Sequence, residues 1–319
     1  MRCIVTGGAG FIGSNLVDRL VTDGHEVIIF DNLSTGKKEN LNPKAKFFKV
    51  DISDKNVFVK RRPLDFNQSY SMEDVMTGVD VVFHLAAKAR VQPSIDEPVD
   101  FHNTNVNGTL NMLDACRRYD IKRFIFSSSS SVYGDVREED LPTSEDKELN
   151  PMSPYALHKL QGEQYCKLFS ELYGLETVCL RYFNVYGERQ ATEGAYCLVM
   201  GVFAKQLLNG EPMTINGDGE QVRDFTYVGD VVEANVKLGV MGNNHPQLFD
   251  GEVFNIGNGE GYSVNRVAEL LGGDKIHNPP VIEPKITKAD NSKARKYLDW
   301  KPTQDFEKWV VKWKTKLGL

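Results

Sequence analysis

The 319-residue chain contains no CxxC pair, no long block of one charge, no internal repeat and no apolar run approaching the ~18–20 residues of a membrane helix. Each absence excludes something. The five cysteines, Cys3, Cys116, Cys166, Cys179 and Cys197, form no even framework, which excludes a secreted disulfide scaffold and predicts reduced thiols in a cytoplasmic protein. The six histidines, His25, His84, His102, His158, His245 and His277, lack metal-ligand spacing, and no metal is expected. A net charge of −6 without long single-sign runs offers nucleic acid no electrostatic footprint. Met1-Arg2 leads straight into strand-like residues rather than an apolar leader, so neither a targeting segment nor a membrane partner is expected.

What is present is an ordinary globular composition, 41% hydrophobic and 26% charged. The length suits two unequal lobes, because single cores stop growing near ~250–300 residues. Cys3-Ile-Val-Thr6 reads as a buried strand, and Gly7-Gly-Ala-Gly10-Phe-Ile-Gly13 follows at once. The glycines open a helix-period segment over 11–23 that Gly24 stops. Val27-Ile-Ile-Phe30 is the next strand and ends in Asp31, 24 residues after Gly7. Strand, glycine turn, helix and acid at this distance form a dinucleotide fingerprint. Glycine lets backbone amides approach a pyrophosphate, and the helix N-terminus supplies partial positive charge beneath it. The Asp31 carboxylate would accept from the ribose diol and repel an added phosphate, so NAD is expected over NADP.

Strands and helices continue to alternate: Lys46-Phe-Phe-Lys-Val50 before Asp51, Val79-Asp-Val-Val-Phe83 before His84, a helical segment over 99–119, then Arg123-Phe-Ile-Phe126. The pattern predicts an α/β, Rossmann-like doubly wound parallel sheet with a smaller mixed C-terminal substrate-binding domain. The expected NAD-binding domain covers 1–180, with returning segments at about 225–257 in the β-like runs Phe225-Thr-Tyr-Val228 and Val253-Phe-Asn-Ile256. The substrate domain is expected over about 181–224 and 258–319, where Pro and Gly are frequent. Residues 57–70 lack periodicity and read as an inserted basic surface loop.

Ser153-Pro154 is a helix start, and the helix is expected to run to about Tyr173 before Gly174. Tyr155 and Lys159 then share one face. Lowering a tyrosine pKa from ~10 to about 7 requires roughly 4 kcal/mol. One cation about 4 Å away supplies on the order of 4 kcal/mol at an effective dielectric of ~20. Lys159 and a positive nicotinamide ring together are expected to make Tyr155 a base.

The set Thr6-Gly-Gly-Ala-Gly-Phe-Ile-Gly13, His84-Leu-Ala-Ala87, Asn105-Val-Asn-Gly-Thr109, the serine run through Gly134, Tyr155-Ala-Leu-His-Lys159, Arg181-Tyr-Phe-Asn-Val-Tyr-Gly187 and Val222-Arg-Asp-Phe-Thr226 resembles the extended short-chain dehydrogenases/reductases. Within them it is most similar to the nucleotide-sugar 4-epimerases acting on UDP-hexoses and UDP-N-acetylhexosamines. The resemblance spans nearly the whole chain. It implies Ser129, Tyr155 and Lys159 as catalytic residues. It implies NAD contacts from Gly7, Gly10, Phe11, Ile12, Gly13, Asp31, Asn32, Asp51, Ile52, Leu85, Ala86, Ala87, Asn105, Tyr155, Lys159 and Phe183. Ser129, Tyr155, Asn184, Arg223, Lys285 and Thr287 would meet the UDP-sugar, the cations suiting its diphosphate. A cytoplasmic homodimer is also implied.

In the similar sugar dehydratases and decarboxylases an acid stands two or three places before the tyrosine of the Val-Tyr-Gly triplet; here Ser130 and Ser131 stand there. Neither can serve as a carboxylic acid, which favours simple oxidation and re-reduction at C4. Two departures from the pattern are visible. Pro280-Val-Ile-Glu283-Pro-Lys285 lacks the usual arginine, leaving its diphosphate role to Lys285, and Asn216 stands beside the expected nucleotide base. Thr287 matches the position whose size helps admit or exclude an N-acetyl group at C2, and it leaves both sugar classes open.

Overall fold

The computed structural model describes residues 1–59, 70–191, 197–242, 246–281 and 283–319. The chain begins β1 (Arg2–Thr6), α1 (Phe11–Thr22), β2 (Glu26–Asp31), β3 (Lys46–Lys49), α2 (Met72–Met76) and β4 (Val81–His84). It continues through α3 (Val91–Asp96), α4 (Pro98–His102), α5 (Gly108–Arg118), β5 (Arg123–Ser129), α6 (Pro154–Tyr173) and β6 (Glu176–Tyr182). Then come β7 (Val185–Tyr186), α7 (Val199–Leu208), β8 (Met213–Asn216), β9 (Val222–Asp224), β10 (Thr226–Tyr227), α8 (Val228–Val240) and β11 (Asp250–Ile256). The last elements are β12 (Gly261–Ser263), α9 (Val264–Leu271), β13 (Lys275–Asn278), α10 (Ser292–Leu298) and α11 (Phe306–Leu317).

The strand order β11-β6-β5-β4-β1-β2-β3 is that of a doubly wound Rossmann-like sheet, and the pairings from β3 through β5 are parallel. The order reverses between β1 and β4, so the crevice beyond their C-terminal ends, at Gly7 and His84, is where such a sheet takes a ligand. Buried runs such as Cys3-Ile-Val and Val27-Ile-Ile-Phe30 fill the strands because helices cover both faces of a parallel sheet.

Compactness divides the chain into two units. The first comprises Met1–Val132, Pro151–Arg181 and Val232–Phe254; the second comprises Tyr133–Asn150, Tyr182–Val231 and Asn255–Leu319. The first has a core around Ile4, Phe30, Val82, Phe124 and Phe126, the second around Tyr186, Phe203, Phe225, Phe306 and Trp309.

Four features differ from the sequence expectation. Residues 133–150 belong to the second unit, because Thr143 exchanges backbone bonds with Lys288 and Asp290 at 2.8 Å. The run from Phe225 stays there too: β10 pairs with β7 and Phe225 stacks on Phe306, so only β11 joins the large sheet. The segment 99–119 is interrupted by a π-turn, Asn103–Asn107. Finally, Val57 and Phe58 are buried in the first core, so that stretch is not simply a surface loop; residues 60–69 of it lie outside the described residues, as does His245.

Candidate active site

The turn after β1 is built so that only glycine fits. A Cβ on Gly13 would lie 2.2 Å from the Gly7 carbonyl oxygen, and one on Gly7, which has φ +71°, 2.8 Å from Ala86 N. No side chain caps the N-terminus of α1 at Gly10. Its first amides therefore remain for an anion, and Phe11 and Ile12 stay partly exposed beside them. Thr6 closes the other wall: its Oγ1 accepts from the amides of Leu85 and Ala86 at 3.1 and 3.0 Å. His84 bridges Thr6 and Thr109 at 3.0 and 3.1 Å, and burial keeps it neutral by pulling its pKa down to about 3.

Asp31 Oδ2 accepts from Ala9 N–H at 3.0 Å and Oδ1 from Leu33 N–H at 2.8 Å. An ionised carboxylate has about four acceptor positions, so two remain for a ribose diol. Asn32 Nδ2 donates to Asp51 at 3.2 Å, and Asp51 also receives the Ser53 hydroxyl and amide. Burial works upward on the Asp51 pKa, but these bonds and the Lys88 ammonium hold it below the usual value. Asn105 sits in the π-turn and exchanges two 2.8 Å bonds with the Lys88 backbone, fixing the segment after Ala87. The residues present thus fit a dinucleotide. Ile52 is buried against Gly108, where a Cβ would lie 2.7 Å from its Cδ1, and Phe183 belongs to the second unit, packed on Tyr133 at 6.4 Å.

Helix α6 carries the reactive pair. Ser153 Oγ caps it by accepting from Ala156 N–H at 3.2 Å, Pro154 occupies the first turn and Gly174 ends it at φ +68°. The Tyr155 amide donates to the buried Ser94 Oγ at 3.1 Å, a brace that sequence reasoning missed. Farther along, a Cβ on Gly162 would meet the Phe126 ring at 2.2 Å, so glycine permits close seating of α6 on β5. Glu163 then receives Ser128 Oγ at 2.5 Å and Arg181 Nε and Nη2 at 2.9 and 2.6 Å, a buried ion pair.

The electrostatics of the pair follow from burial and from what anchors each group. Lys159 Nζ donates to the Ser127 carbonyl at 2.7 Å and lies 5.9 Å from the centre of the Tyr155 ring. Burial draws the Lys159 pKa down to about 8, with Glu163 pulling upward. Burial raises the Tyr155 pKa above its ordinary value, and the groups opposing that rise are Ser129, through a hydrogen bond, and the Arg90 cation. The Lys159 ammonium is anchored to the strand end, and the Ser129 hydroxyl, two residues farther along that strand, is the side chain that most favours ionisation of Tyr155. Ser129 Oγ in turn accepts the Ser131 hydroxyl at 2.9 Å and amide at 3.2 Å.

In the second unit, Asn184 Nδ2 donates to Thr287 Oγ1 at 3.4 Å. Arg223 Nη2 donates to Glu283 at 2.5 Å and Nη1 to the Lys285 carbonyl at 3.4 Å. Lys285 Nζ donates to Glu138 at 2.8 Å. Both expected diphosphate cations thus carry carboxylate partners from distant chain segments. Asp224, adjacent to Arg223, is fully buried and receives the amides of Ala289, Asn258 and Gly259 at 3.0, 2.8 and 2.9 Å, tying together the segments that hold Thr287. A cavity of about 690 Å³ opens by Gly217, Asp218, His277, Asn278 and Pro280.

The family model for NAD dependent epimerases/dehydratases matches residues 3–257. A UDP-glucose 4-epimerase of Mycolicibacterium smegmatis is 37% identical over 310 residues, 95% of this chain and 94% of that one. The UDP-glucose 4-epimerase of Thermotoga maritima, solved with UDP-glucose, superimposes with a TM-score of 0.87 at 39% identity, covering 98% and 96% of the two chains. That of Thermus thermophilus, solved with NAD, gives 0.87 at 33% identity over 100% and 99%. A nucleotide cradle, an anchored Tyr-Lys helix and these likenesses over essentially the full length lead to one conclusion: the chain belongs to the NAD dependent epimerase/dehydratase family.

Proposed function

We propose that the protein inverts C4 of a UDP-hexose through a transient 4-keto sugar, as a cytoplasmic homodimer. One observation carries the reading: Tyr155 and Lys159 share a helix whose lysine is anchored to the end of the strand that carries Ser129, while Ser130 and Ser131 stand where elimination or decarboxylation would use an acid. Bound NAD supplies reversible hydride chemistry at C4. The protein does the rest. Tyr155 takes the proton of the 4-hydroxyl and later returns it, and Ser129 donates to the oxygen on which charge develops. Lys159, anchored at Ser127, holds its charge near the ring and is placed for the nicotinamide ribose. Gly7, Gly10 and Gly13 admit the pyrophosphate, and Asp31 keeps acceptors for the adenosine ribose. Asn184 and Arg223 take the UDP diphosphate, with Lys285 beside them. Thr287, a medium-small side chain, leaves room for UDP-glucose/galactose and for the N-acetylated pair.

Incubation with UDP-glucose and with UDP-GlcNAc, followed by NMR of the products, tests the reaction. A C4 epimer from either one is expected; none from any UDP-hexose refutes it. Exposed Leu157, Leu168 and Leu172 on α6 support the dimer, since an apolar helix face seeks a partner. Sedimentation at micromolar concentration is expected to give twice the chain mass, and a monomer would reject the dimer.

A further inference from the structure

The 3₁₀ turn Ser130–Tyr133, directly after β5, folds Ser131 back over Ser129. Ser129 Oγ accepts twice from that one residue, from the hydroxyl at 2.9 Å and the amide at 3.2 Å. A serine oxygen has two lone pairs and one proton. With both lone pairs occupied, the Ser129 proton can only be given outward. The direction has an independent physical reason: a Tyr155 phenolate has no proton to offer Ser129, so Ser129 must donate to it and take its own bonds from elsewhere.

We propose that Ser131 is a positioning residue that fixes Ser129 as a one-way donor toward Tyr155 and the reacting sugar oxygen. The inference rests on the C4-epimerase reading above. It gives Ser131 a role beyond the absence of an acid at its position. Ser131→Ala leaves the amide bond but removes the hydroxyl, so Ser129 can rotate and donate elsewhere. The Ser129 hydroxyl opposes the effect of burial on Tyr155, as does the Arg90 cation. Turning that hydroxyl away therefore leaves the tyrosine harder to ionise.

The test compares wild type, Ser131→Ala, Ser131→Thr, Ser129→Ala and the double alanine variant over a range of pH, with melting temperatures as a check on folding. Ser131→Ala is expected to lose roughly 5–20-fold in kcat, a fraction of a general acid–base contribution, with KM little changed. The acid limb of its kcat/KM profile moves to higher pH. Ser131→Thr, which keeps the hydroxyl, recovers most of the rate. Because both serines act through one chain of bonds, the double variant is no slower than Ser129→Ala alone. Wild-type kcat and pH profile in Ser131→Ala, or fully additive losses in the double variant, would overturn the proposal while leaving the epimerase reading intact. No C4 epimer from wild type would instead defeat the reading on which it rests.

Discussion

The two compact units prepare their functional groups in opposite ways. In the first, the groups are held by bonds that leave their chemistry available: Lys159 on a carbonyl, Asp31 on two amides, Ser129 on the amide and hydroxyl of Ser131. In the second, the cations expected to meet substrate are already paired, Arg223 with Glu283 and Lys285 with Glu138. On the proposed function, Tyr155, Lys159 and Asp31 stand ready in advance, whereas a substrate diphosphate would compete with the protein's own carboxylates.

The largest expected effect strikes the preassembled unit. Tyr155→Phe should lower kcat by ~10²–10⁴-fold with the melting temperature kept, because only the proton-transfer group is removed. Steady-state rates beside thermal melts would check it. Next is the ion pair beneath the helix. Arg181→Met strands a buried Glu163 carboxylate and should cost about 3–5 kcal/mol in denaturant unfolding. A loss below ~1 kcal/mol would mean that the pair does not fix α6 on its strand.

A pH prediction distinguishes the units further. Lys159 has its folded pKa drawn from 10.5 to about 8, so kcat should fall as pH rises through that region and the ammonium is lost. The sign for stability is opposite. Between the folded and unfolded values the unfolded chain binds more protons, so this group makes stability rise with pH there. Activity falling while the fold is maintained would locate the loss in the lysine. The smallest effect belongs to the second unit. Glu283→Gln should lower KM for UDP-sugars by about 2–5-fold without changing kcat, the benefit being limited by solvent screening of the part-exposed carboxylate. Unchanged or weaker binding would show that Glu283 does not compete with substrate.

The same contrast governs what can be read from the residues alone. The glycine turn, the Ser153-Pro154 helix start, the Gly174 stop and the Tyr155/Lys159 spacing depend on neighbours within a few residues, and all are legible. Partners far apart in sequence are not: Glu163 with Arg181, Arg223 with Glu283, Tyr155 N–H with Ser94. Helix α8, beginning at Val228, is hidden because its valines favour strand locally, and burial of Val231, Val232 and Val236 overrides that preference. The anchor of Lys159 is hidden for a related reason: four residues of helix bring it to the correct face, but the end of β5 supplies the carbonyl that holds it.

The most direct test of the account uses a UDP-hexose carrying deuterium at C4, converted by the enzyme with its own bound NAD. The 4-epimer is expected to retain deuterium at C4, with no net NADH formed. Loss of the label to solvent, or accumulation of NADH and a keto sugar in its place, would contradict it.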